Sequence, residues 1–480
     1  MEKIKNYING VLLTPYSGNY INNYNPSTGE VYSMLPGSDS ADVELAVESA
    51  ENAFPLWSGF TAEKRSEFLM KIAELIRKYS DKLALAESID NGKPLWLSKS
   101  VDIPRAIKNL EFFATAVTHF SSESHLTDNE TLNYTLRQPI GIAGAISPWN
   151  LPLYLFTWKI APALAAGNCV IGKPSEITPM TAFMLSEICI EAKLPDGVLN
   201  IIHGYGSTAG TAIVSHPKIK AVTFTGGTNT GREISKIAAP MFKKLSLELG
   251  GKNPVIIFSD CKYDDMLETT VNSSFRNQGE ICLCGSRIFV EKNIYEKFRN
   301  DFTERVKKLT VGDPLLDNSN LGAIVSKQHF EKILYYIDLS QKEGGKILCG
   351  GKPVTVNGRC ENGWFIEPTV IEGLPYDCKT NQEEIFGPVV TLIPFEKEEE
   401  VIEMANSTEY GLASVIWTEN LSRAHGISSK LKSGIVWVNC WMLRDLRTPF
   451  GGVKNSGVGR EGGLEALRFF TETKNVCIKY

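Results

Sequence analysis

Apolar residues recur every three or four positions through residues 62–89 and again from Val101 to Phe120, with charged residues between them. This spacing predicts amphipathic helices, so we expect the first 120 residues to be mainly helical. From Ile140 to Gly250 the pattern changes to short apolar runs that alternate with helical segments. Such an alternation predicts a parallel β-sheet whose strands are joined by right-handed helical crossovers.

A second alternation of strands and helices begins at residue 253 and continues to about residue 455. We therefore predict a nucleotide-binding α/β domain from residues 1–120 and 140–250, and a second α/β domain from residues 251–455. Two segments, 131–139 and 475–480, have the character of exposed strands. Because unpaired strand edges rarely stay free, we expect residues 121–139 and 456–480 to form a small β-element, which pairs with another subunit or caps the chain's own sheet.

Composition and charge exclude several classes of protein. The 50 basic and 55 acidic residues leave a net charge of −5, so the excess of basic residues that favours nucleic-acid binding is missing. The most apolar stretch, 151–171, contains Lys159, Asn168 and two prolines, and therefore lacks the ~20 uninterrupted apolar residues of a membrane span. The N-terminal apolar run is too short for a signal peptide. We expect a cytoplasmic protein without a nucleic-acid or membrane partner.

The ten cysteines are scattered, and no two of them form a CxxC pair. This distribution favours reduced thiols and indicates neither a zinc site nor a redox dithiol, so no metal is expected. Cys282 differs from the others because Gly279 and Gly285 flank it in a turn and leave room for a substrate to approach its sulfur. The alternative is an ordinary buried thiol, which is the more common role of a free cysteine.

Two further polar residues stand where α/β proteins bind their ligands. Glu248 ends a predicted strand, with one leucine between it and Gly250 and Gly251, and Asn150 follows the strand near residue 146. Open α/β sheets place ligands at the carboxyl ends of their strands, so both side chains are candidates for a functional site.

A glycine-rich segment at residues 224–235 has the features of an anion-binding turn. Gly226 and Gly231 lie between a predicted strand and a predicted helix, whose N-terminus favours a pyrophosphate. The spacing differs from the G-x-G-x-x-G fingerprint, so an ordinary tight turn is the alternative. Lys173 and Glu176, after the second strand, occupy the place where dinucleotide folds grip the adenosine ribose. A carboxylate there repels a 2′-phosphate, which favours NAD over NADP.

Seven sequence blocks resemble the signatures of the NAD(P)-dependent aldehyde dehydrogenase superfamily, in that family's order along the whole chain. They are SPWNLPL, GNCVIGKPSE, FTGGTNTG, LSLELGGKNP, NQGEICLCGSR, EEIFGPVV and PFGGVKNSGVGRE. The resemblance implies an α/β fold with a Rossmann-type NAD-binding domain, a second α/β catalytic domain and a small β oligomerisation element. It also implies a homodimer or homotetramer that acts on a small aldehyde with NAD as cofactor.

The resemblance assigns roles to individual residues. It implies that Cys282 is the nucleophile, Glu248 the general base and Asn150 the oxyanion donor. The residues that it implies for binding NAD are Ser147, Pro148, Trp149, Lys173, Ser175, Glu176, Gly206, Gly210, Phe224, Thr225, Gly226, Gly227, Gly231, Leu249, Glu384 and Phe386.

The blocks around Glu280 and Arg444 resemble most the members that oxidise 2-aminomuconate or 2-hydroxymuconate semialdehyde. In that subgroup Arg105, Arg444 and Asn150 would bind the substrate, since a guanidinium pair binds a carboxylate well. An exposed surface role is the alternative for each arginine, and Arg447 beside Asp445 is a third candidate.

The expected reaction is oxidation of 2-aminomuconate 6-semialdehyde to 2-aminomuconate, as in tryptophan or nitroaromatic breakdown, through a cysteine thiohemiacetal and thioester. The alternatives are 2-hydroxymuconate semialdehyde, retinal or betaine aldehyde as substrate, or a non-catalytic binding or structural protein built on the same fold.

Overall fold

The computed structural model describes residues 1–480. The N-terminal region begins with five short strands: β1 (Glu2–Lys3), β2 (Asn6–Ile8), β3 (Val11–Leu13), β4 (Tyr20–Asn25) and β5 (Glu30–Pro36). Five helices follow: α1 (Ser40–Gly59), α2 (Ala62–Lys78), α3 (Ser80–Asn91), α4 (Leu95–Leu97) and α5 (Ile103–Ala116). The prediction of a mainly helical region is therefore wrong before residue 40. Strands β1, β2 and β3 have only two or three residues each and are too short for an alternating pattern. The five strands are stabilised by pairing with each other and with distant segments.

Strands and helices alternate through residues 140–250, as the hydrophobic pattern predicts, and two further strands precede this region. The elements are β6 (Ser124–Asp128), β7 (Thr131–Pro139), β8 (Ile142–Ile146), α6 (Pro152–Ala165), β9 (Cys169–Lys173), α7 (Met180–Glu191), β10 (Leu199–Ile201), α8 (Thr211–Ser215), β11 (Ile219–Thr225), α9 (Thr228–Ala238) and β12 (Lys244–Glu248).

The remaining chain forms a second alternation and a final strand. Its elements are β13 (Asn253–Ile257), α10 (Tyr263–Phe275), β14 (Gly285–Glu291), α11 (Lys292–Lys307), α12 (Lys327–Lys342), β15 (Lys346–Cys349), β16 (Pro353–Val354), β17 (Phe365–Ile366), β18 (Thr369–Glu372), α13 (Lys379–Gln382), β19 (Val389–Phe395), α14 (Glu398–Asn406), β20 (Tyr410–Gly411), β21 (Ala413–Trp417), α15 (Leu421–Ser428), β22 (Ile435–Val438), β23 (Val453–Lys454), β24 (Gly457–Val458), α16 (Gly463–Phe469) and β25 (Thr471–Lys479).

The first large sheet has the order β24-β12-β11-β8-β9-β10-β2-β3, and its five central strands are parallel. The first of these strands, β8, has the second strand on one side and the fourth on the other. This is the Rossmann arrangement, and it creates a crevice at the carboxyl ends of β8 and β11, where the strand order reverses.

The second large sheet has the order β15-β18-β19-β14-β13-β21-β22. All of its strands are parallel except β15 at one edge. One continuous apolar core contains residues from both sheets, among them Val222 of β11 and Ile288 of β14. Because the two sheets share this core, their facing edges are held in a defined relation to each other. No helix is long and apolar enough to cross a bilayer.

A third sheet of three strands has the order β25-β7-β6. Strands β25 and β7 pair in antiparallel register from Thr471 opposite Pro139 to Lys479 opposite Thr131. The two predicted exposed strands thus pair with each other. The predicted range 456–480 is too wide, because β24 pairs with β12 at the edge of the first large sheet and α16 packs against α6. A two-residue strand has no periodicity from which its partner could be predicted.

Candidate active site

A long groove lies at the carboxyl ends of β8, β9 and β11, where the strand order reverses. Most of the predicted cofactor-binding residues line it: Ser147, Pro148, Trp149, Lys173, Ser175, Glu176, Gly206, Gly210, Phe224, Thr225, Gly226 and Gly227. The fold therefore brings together residues that are up to eighty positions apart. They follow neighbouring strands of one parallel sheet, whose carboxyl ends lie at the same edge. Their positions after predicted strands therefore predicted that they would meet.

Glycines shape the part of the groove beside helix α9. Gly227 precedes the first residue of α9, and a Cβ atom added to it would meet no atom within 4 Å. Gly231 does not line the groove. A Cβ atom added to it would stand 2.6 Å from Cδ2 of Leu249. Gly231 and Leu249 thus allow close packing of α9 against the turn after β12. The free N–H groups at the start of α9 face an open space that suits a phosphate group.

The other end of the groove carries a lysine and a carboxylate. Lys173 Nζ donates to Glu176 Oε2 at 3.1 Å and to the Pro174 carbonyl at 3.0 Å. Burial alone would raise the pKa of Glu176. The Lys173 charge and hydrogen bonds from backbone N–H groups lower it by a larger amount, so the pKa lies below its usual value. Glu176 therefore keeps its negative charge and its capacity to accept hydrogen bonds from a diol.

Glu384 and Phe386 belong to the second large domain and border a small cavity that also contains Cys282. Glu384 Oε1 accepts a hydrogen bond of 2.8 Å from the Gly251 N–H. Phe386 has a left-handed φ of +63°, and its ring packs edge to face with Trp149 at 5.3 Å between centroids. The contact places residues of both domains where the groove approaches Cys282. A groove with this lining fits a dinucleotide whose reactive end lies near that thiol.

Cys282 lies in the turn between α10 and β14. The preceding residues Asn277 and Gln278 both have a left-handed φ of +55°, which bends the chain sharply before the cysteine. The Cys282 carbonyl accepts a hydrogen bond of 2.7 Å from Asn253 Nδ2. Cys284 is buried in the core, and its sulfur faces the Arg276 carbonyl. Of these two neighbouring thiols, Cys282 borders both the cavity near Glu384 and the deeper one that contains Glu248.

Burial raises the pKa of the Cys282 thiol above its usual range, and the nearby Glu248 carboxylate raises it further. The Arg444 guanidinium acts in the opposite direction. A low dielectric and a neighbouring negative charge both disfavour the thiolate. Both effects favour the protonated thiol, so Cys282 has to lose a proton before its sulfur can act as a nucleophile.

Asn150 is buried beside the turn that carries Cys282. Its side-chain Nδ2 donates to the Glu280 carbonyl at 2.9 Å. An amide nitrogen carries two N–H groups, so this bond leaves the second one available to another acceptor. The predicted oxyanion donor is thereby placed next to the predicted nucleophile.

Glu248 ends β12, and its carboxylate lines the same cavity as Cys282. Its Oε1 is buried and has no hydrogen-bond partner. Burial raises its pKa well above the usual value, and the charge of Glu461 raises it further, whereas Lys159 and Arg444 lower it. A carboxylate in this environment is a suitable general base near neutral pH.

Lys159 and Glu461 form a buried network behind Glu248 that the sequence reasoning missed. Lys159 Nζ donates to Glu461 Oε1 at 2.7 Å, and Thr223 Oγ1 donates to the same oxygen at 2.8 Å. A signal was present in the sequence, because Lys159 interrupts its most apolar stretch. A lysine in such a stretch is buried only with a partner.

Arg105 and Arg444 converge on one residue, Tyr154. Arg444 Nη1 donates to the Tyr154 hydroxyl at 2.7 Å, and the Arg105 guanidinium lies 5.5 Å from the centre of the Tyr154 ring. Arg105 Nε and Nη2 are buried without a partner. Burial lowers the pKa of Arg105, and the positive charge of Arg444 lowers it further. The two cations thus lie close together with unused donors. Sequence reasoning missed Tyr154, which follows Asn150 by four positions.

Arg447 does not join this pair. It is exposed, and its guanidinium donates to Asp445 Oδ2 at 2.6 Å. Of the two roles considered for Arg447, the structure contains the pairing with Asp445 at the surface.

The aldehyde dehydrogenase family model matches residues 13–476. The chain belongs to the aldehyde dehydrogenase family. It is 48% identical over 480 residues to the 2-aminomuconic semialdehyde dehydrogenase of Mus musculus, covering 99% of this chain and 98% of the relative. It is 42% identical to the 2-hydroxymuconic semialdehyde dehydrogenase of Pseudomonas sp. (strain CF600), with full coverage of both chains.

Solved aldehyde dehydrogenases have the same fold. The NAD+ complex of the Bacillus cereus aldehyde dehydrogenase superimposes with a TM-score of 0.97 at 37% identity, covering 100% of this chain and 97% of that one. The predicted family, the predicted fold class and the prediction of an aldehyde dehydrogenase enzyme are therefore confirmed.

Proposed function

We propose that this aldehyde dehydrogenase uses NAD+ to oxidise a carboxylate-bearing semialdehyde, 2-aminomuconate 6-semialdehyde, to 2-aminomuconate. The observation that carries the proposal is the convergence of Arg105 and Arg444 on Tyr154, in the region of the cavity that contains Cys282. Two guanidinium groups with unused donors favour a carboxylate remote from the reacting aldehyde. The 48% identity to 2-aminomuconic semialdehyde dehydrogenases supports the same substrate.

NAD+ would lie in the groove between α9 and the ends of β8 and β9. The start of α9 would hold the pyrophosphate, Glu176 and Lys173 the adenosine ribose, and Glu384 the second ribose. Glu176 keeps a negative charge, which favours the free 2′-hydroxyl of NAD over the 2′-phosphate of NADP. When bound, NAD+ supplies the acceptor for the hydride that leaves the aldehyde carbon.

The protein's own residues perform the other steps. The Cys282 thiol first releases its proton to solvent, and the thiolate sulfur adds to the aldehyde carbon. The Asn150 amide and the Cys282 N–H donate hydrogen bonds to the oxyanion that forms. Oxidation leaves the acyl group on the sulfur as a thioester. Glu248 then takes a proton from the water that attacks this thioester, which releases the dicarboxylic acid and regenerates Cys282.

The decisive experiment is a steady-state comparison of four aldehydes with NAD+. We expect the highest kcat/KM for 2-aminomuconate semialdehyde, a lower value for 2-hydroxymuconate semialdehyde, and much lower values for retinal and betaine aldehyde, which have no carboxylate for Arg105 and Arg444. A preference for 2-hydroxymuconate semialdehyde would mean that this enzyme acts on the aldehyde named for its 42% identical Pseudomonas relative. A preference for retinal or betaine aldehyde would reject the carboxylate clamp, and absence of NADH formation with every aldehyde would favour a non-catalytic protein.

We also propose that the three-stranded sheet of β6, β7 and β25 contributes to a homodimer or homotetramer of a cytoplasmic enzyme. Strand β6 is exposed along its whole length and leaves one edge of this sheet unpaired. Such an edge is a natural site for pairing with another chain.

A further inference from the structure

Lys93 is a fully buried lysine for which the proposed mechanism has no role. Its Nζ donates to Asp102 Oδ2 at 2.5 Å and to the main-chain carbonyl of Asn150 at 2.9 Å. A carboxylate oxygen of Glu87 lies 3.8 Å from the same nitrogen, and neither carboxylate is exposed. Buried ion pairs stabilise a fold little in comparison with apolar residues of similar size. A lysine and two carboxyl groups buried together beside Asn150 therefore point to a role in geometry.

The cluster of Lys93, Glu87 and Asp102 lies where α3, the start of α5 and the start of α6 meet, beside the main chain of Asn150. Glu87 belongs to α3, and its Oε2 accepts a hydrogen bond of 3.3 Å from the Leu153 N–H at the start of α6. Asp102 ends a π-helical turn, Ser98–Asp102, and α5 begins at the next residue. Such π-helical turns redirect a helix and recur at functional sites. Arg105 follows in the first turn of α5, so Lys93 connects the start of the helix that carries Arg105 to the main chain of Asn150.

Asn150 is held at its main chain and at its side chain. Its carbonyl accepts hydrogen bonds from Lys93 Nζ and, at 3.2 Å, from Asn277 Nδ2. Its side-chain Nδ2 donates to the Glu280 carbonyl. Lys93 is the charged donor of this set, and charge-assisted hydrogen bonds are the stronger ones.

We propose that Lys93 is a positioning residue for the oxyanion donor. Its bond to the Asn150 carbonyl fixes the main chain from which the amide projects, and its pairing with Asp102 links that position to α5. This inference rests on the oxyanion role proposed for Asn150. A donor that shifts by about 1 Å loses much of its effect on the transition state, because the oxyanion forms at one place.

The test measures kcat of the full-length Lys93→Met variant with saturating NAD+. Butanal is the probe, because a neutral aldehyde does not depend on Arg105 and Arg444. We expect kcat per reactive Cys282 thiol, counted by alkylation and mass spectrometry, to fall by about 10- to 100-fold. The dissociation constant for NAD+ is expected to stay unchanged.

Lys243→Met is the matched control. Lys243 is also buried, and it donates to the carbonyls of Val214 and His216, both at 2.6 Å. It precedes β12 at the end of the strand opposite Glu248. Its replacement removes a buried lysine and two hydrogen bonds to carbonyls without touching Asn150, so kcat per reactive thiol should be unchanged.

A double-mutant cycle separates positioning from general stability. In an Asn150→Ala background, Lys93→Met should lower kcat no further, since the group that Lys93 positions is absent. An equal loss in both backgrounds, or an unchanged kcat in the single variant, would overturn the positioning role.

Asp102→Asn provides a second route if Lys93→Met does not fold. It keeps the lysine and the shape of the cluster. We expect it to lower kcat less than Lys93→Met does, and this loss should also vanish in the Asn150→Ala background. A wild-type kcat for Asn150→Ala itself would reject the oxyanion role and this inference together. A strongly reduced kcat for Asn150→Ala combined with multiplicative losses would reject only the role of Lys93.

Discussion

The dinucleotide groove and the substrate cavity approach each other at Cys282, yet they are built differently. The groove is formed by neighbouring strand ends of one sheet and by the start of α9, and its lining includes the glycines Gly206, Gly210, Gly226 and Gly227. The cavity is formed by side chains from α6, the end of β12, the turn before β14 and the loop after β22. Arg105 approaches it from α5.

This difference separates the general part of the enzyme from its specific part. Backbone groups at strand ends bind a ligand that many enzymes share, and they depend little on the identity of single side chains. In the cavity, the charge and position of individual side chains decide which aldehyde is bound and what happens to the acyl group. Substitutions in the cavity should therefore change chemistry or substrate choice, and substitutions in the groove should change cofactor choice.

Glu248→Ala should have the largest effect. We expect steady-state turnover to fall by about 10²- to 10⁴-fold, because the thioester loses its general base, while a single burst of NADH remains. Stopped-flow absorbance at the NADH band measures both phases. In the unmodified enzyme, kcat should rise with pH through the raised pKa of Glu248, since the base must be ionised, and this limb should be absent from the variant.

Glu465→Ala is the control for this prediction. Glu465 is a partly exposed glutamate on α16 that pairs with Arg468, away from the cavity. It should leave both the burst and the turnover unchanged. Undiminished turnover in Glu248→Ala would contradict the assignment of the base.

Arg444→Ala should have the next largest effect, and it should be selective. We expect KM for a carboxylate-bearing semialdehyde to rise by about 10- to 100-fold, which corresponds to the ~1.5–3 kcal/mol of a hydrogen bond to a charged group. Butanal has no carboxylate, so its KM should change little. Initial rates with both aldehydes provide the measurement.

Arg447→Ala is the matched control in the same loop, because Arg447 is exposed and paired with Asp445. Its KM values should equal those of the unmodified enzyme. If Arg444→Ala weakened both aldehydes equally, the clamp would be excluded and a general packing role would replace it.

Glu176→Gln should have the smallest of these effects, confined to the groove. The ratio of kcat/KM for NAD+ over NADP+ should fall by about tenfold, because the variant loses the charge that binds the ribose diol and repels a 2′-phosphate. The aldehyde KM should not change. Equal use of both coenzymes by the unmodified enzyme would contradict the role of Glu176.

The sequence was informative where the site follows local patterns. Cys282 between two glycines and Glu248 at the end of a strand were recognised from their neighbours, and the family resemblance then assigned their roles. Tyr154 directly follows the block SPWNLPL, and Glu461 is the last residue of PFGGVKNSGVGRE, but neither block indicates what these two side chains contact. Their importance comes from contacts across large separations, between Tyr154 and Arg444 and between Glu461 and Lys159.

The sequence by itself determined the family, the alternation of strands and helices and the residue types available for the chemistry, because these depend on periodicity and on short motifs. Only the tertiary structure decided which charges meet. It brought Arg105 to the ring of Tyr154 and Arg444 to its hydroxyl, and it paired Arg447 with Asp445. It also buried Lys93 beneath Asn150. The physical reason is that burial and charge pairing depend on distances between remote segments, which packing of the two sheets around a shared core determines.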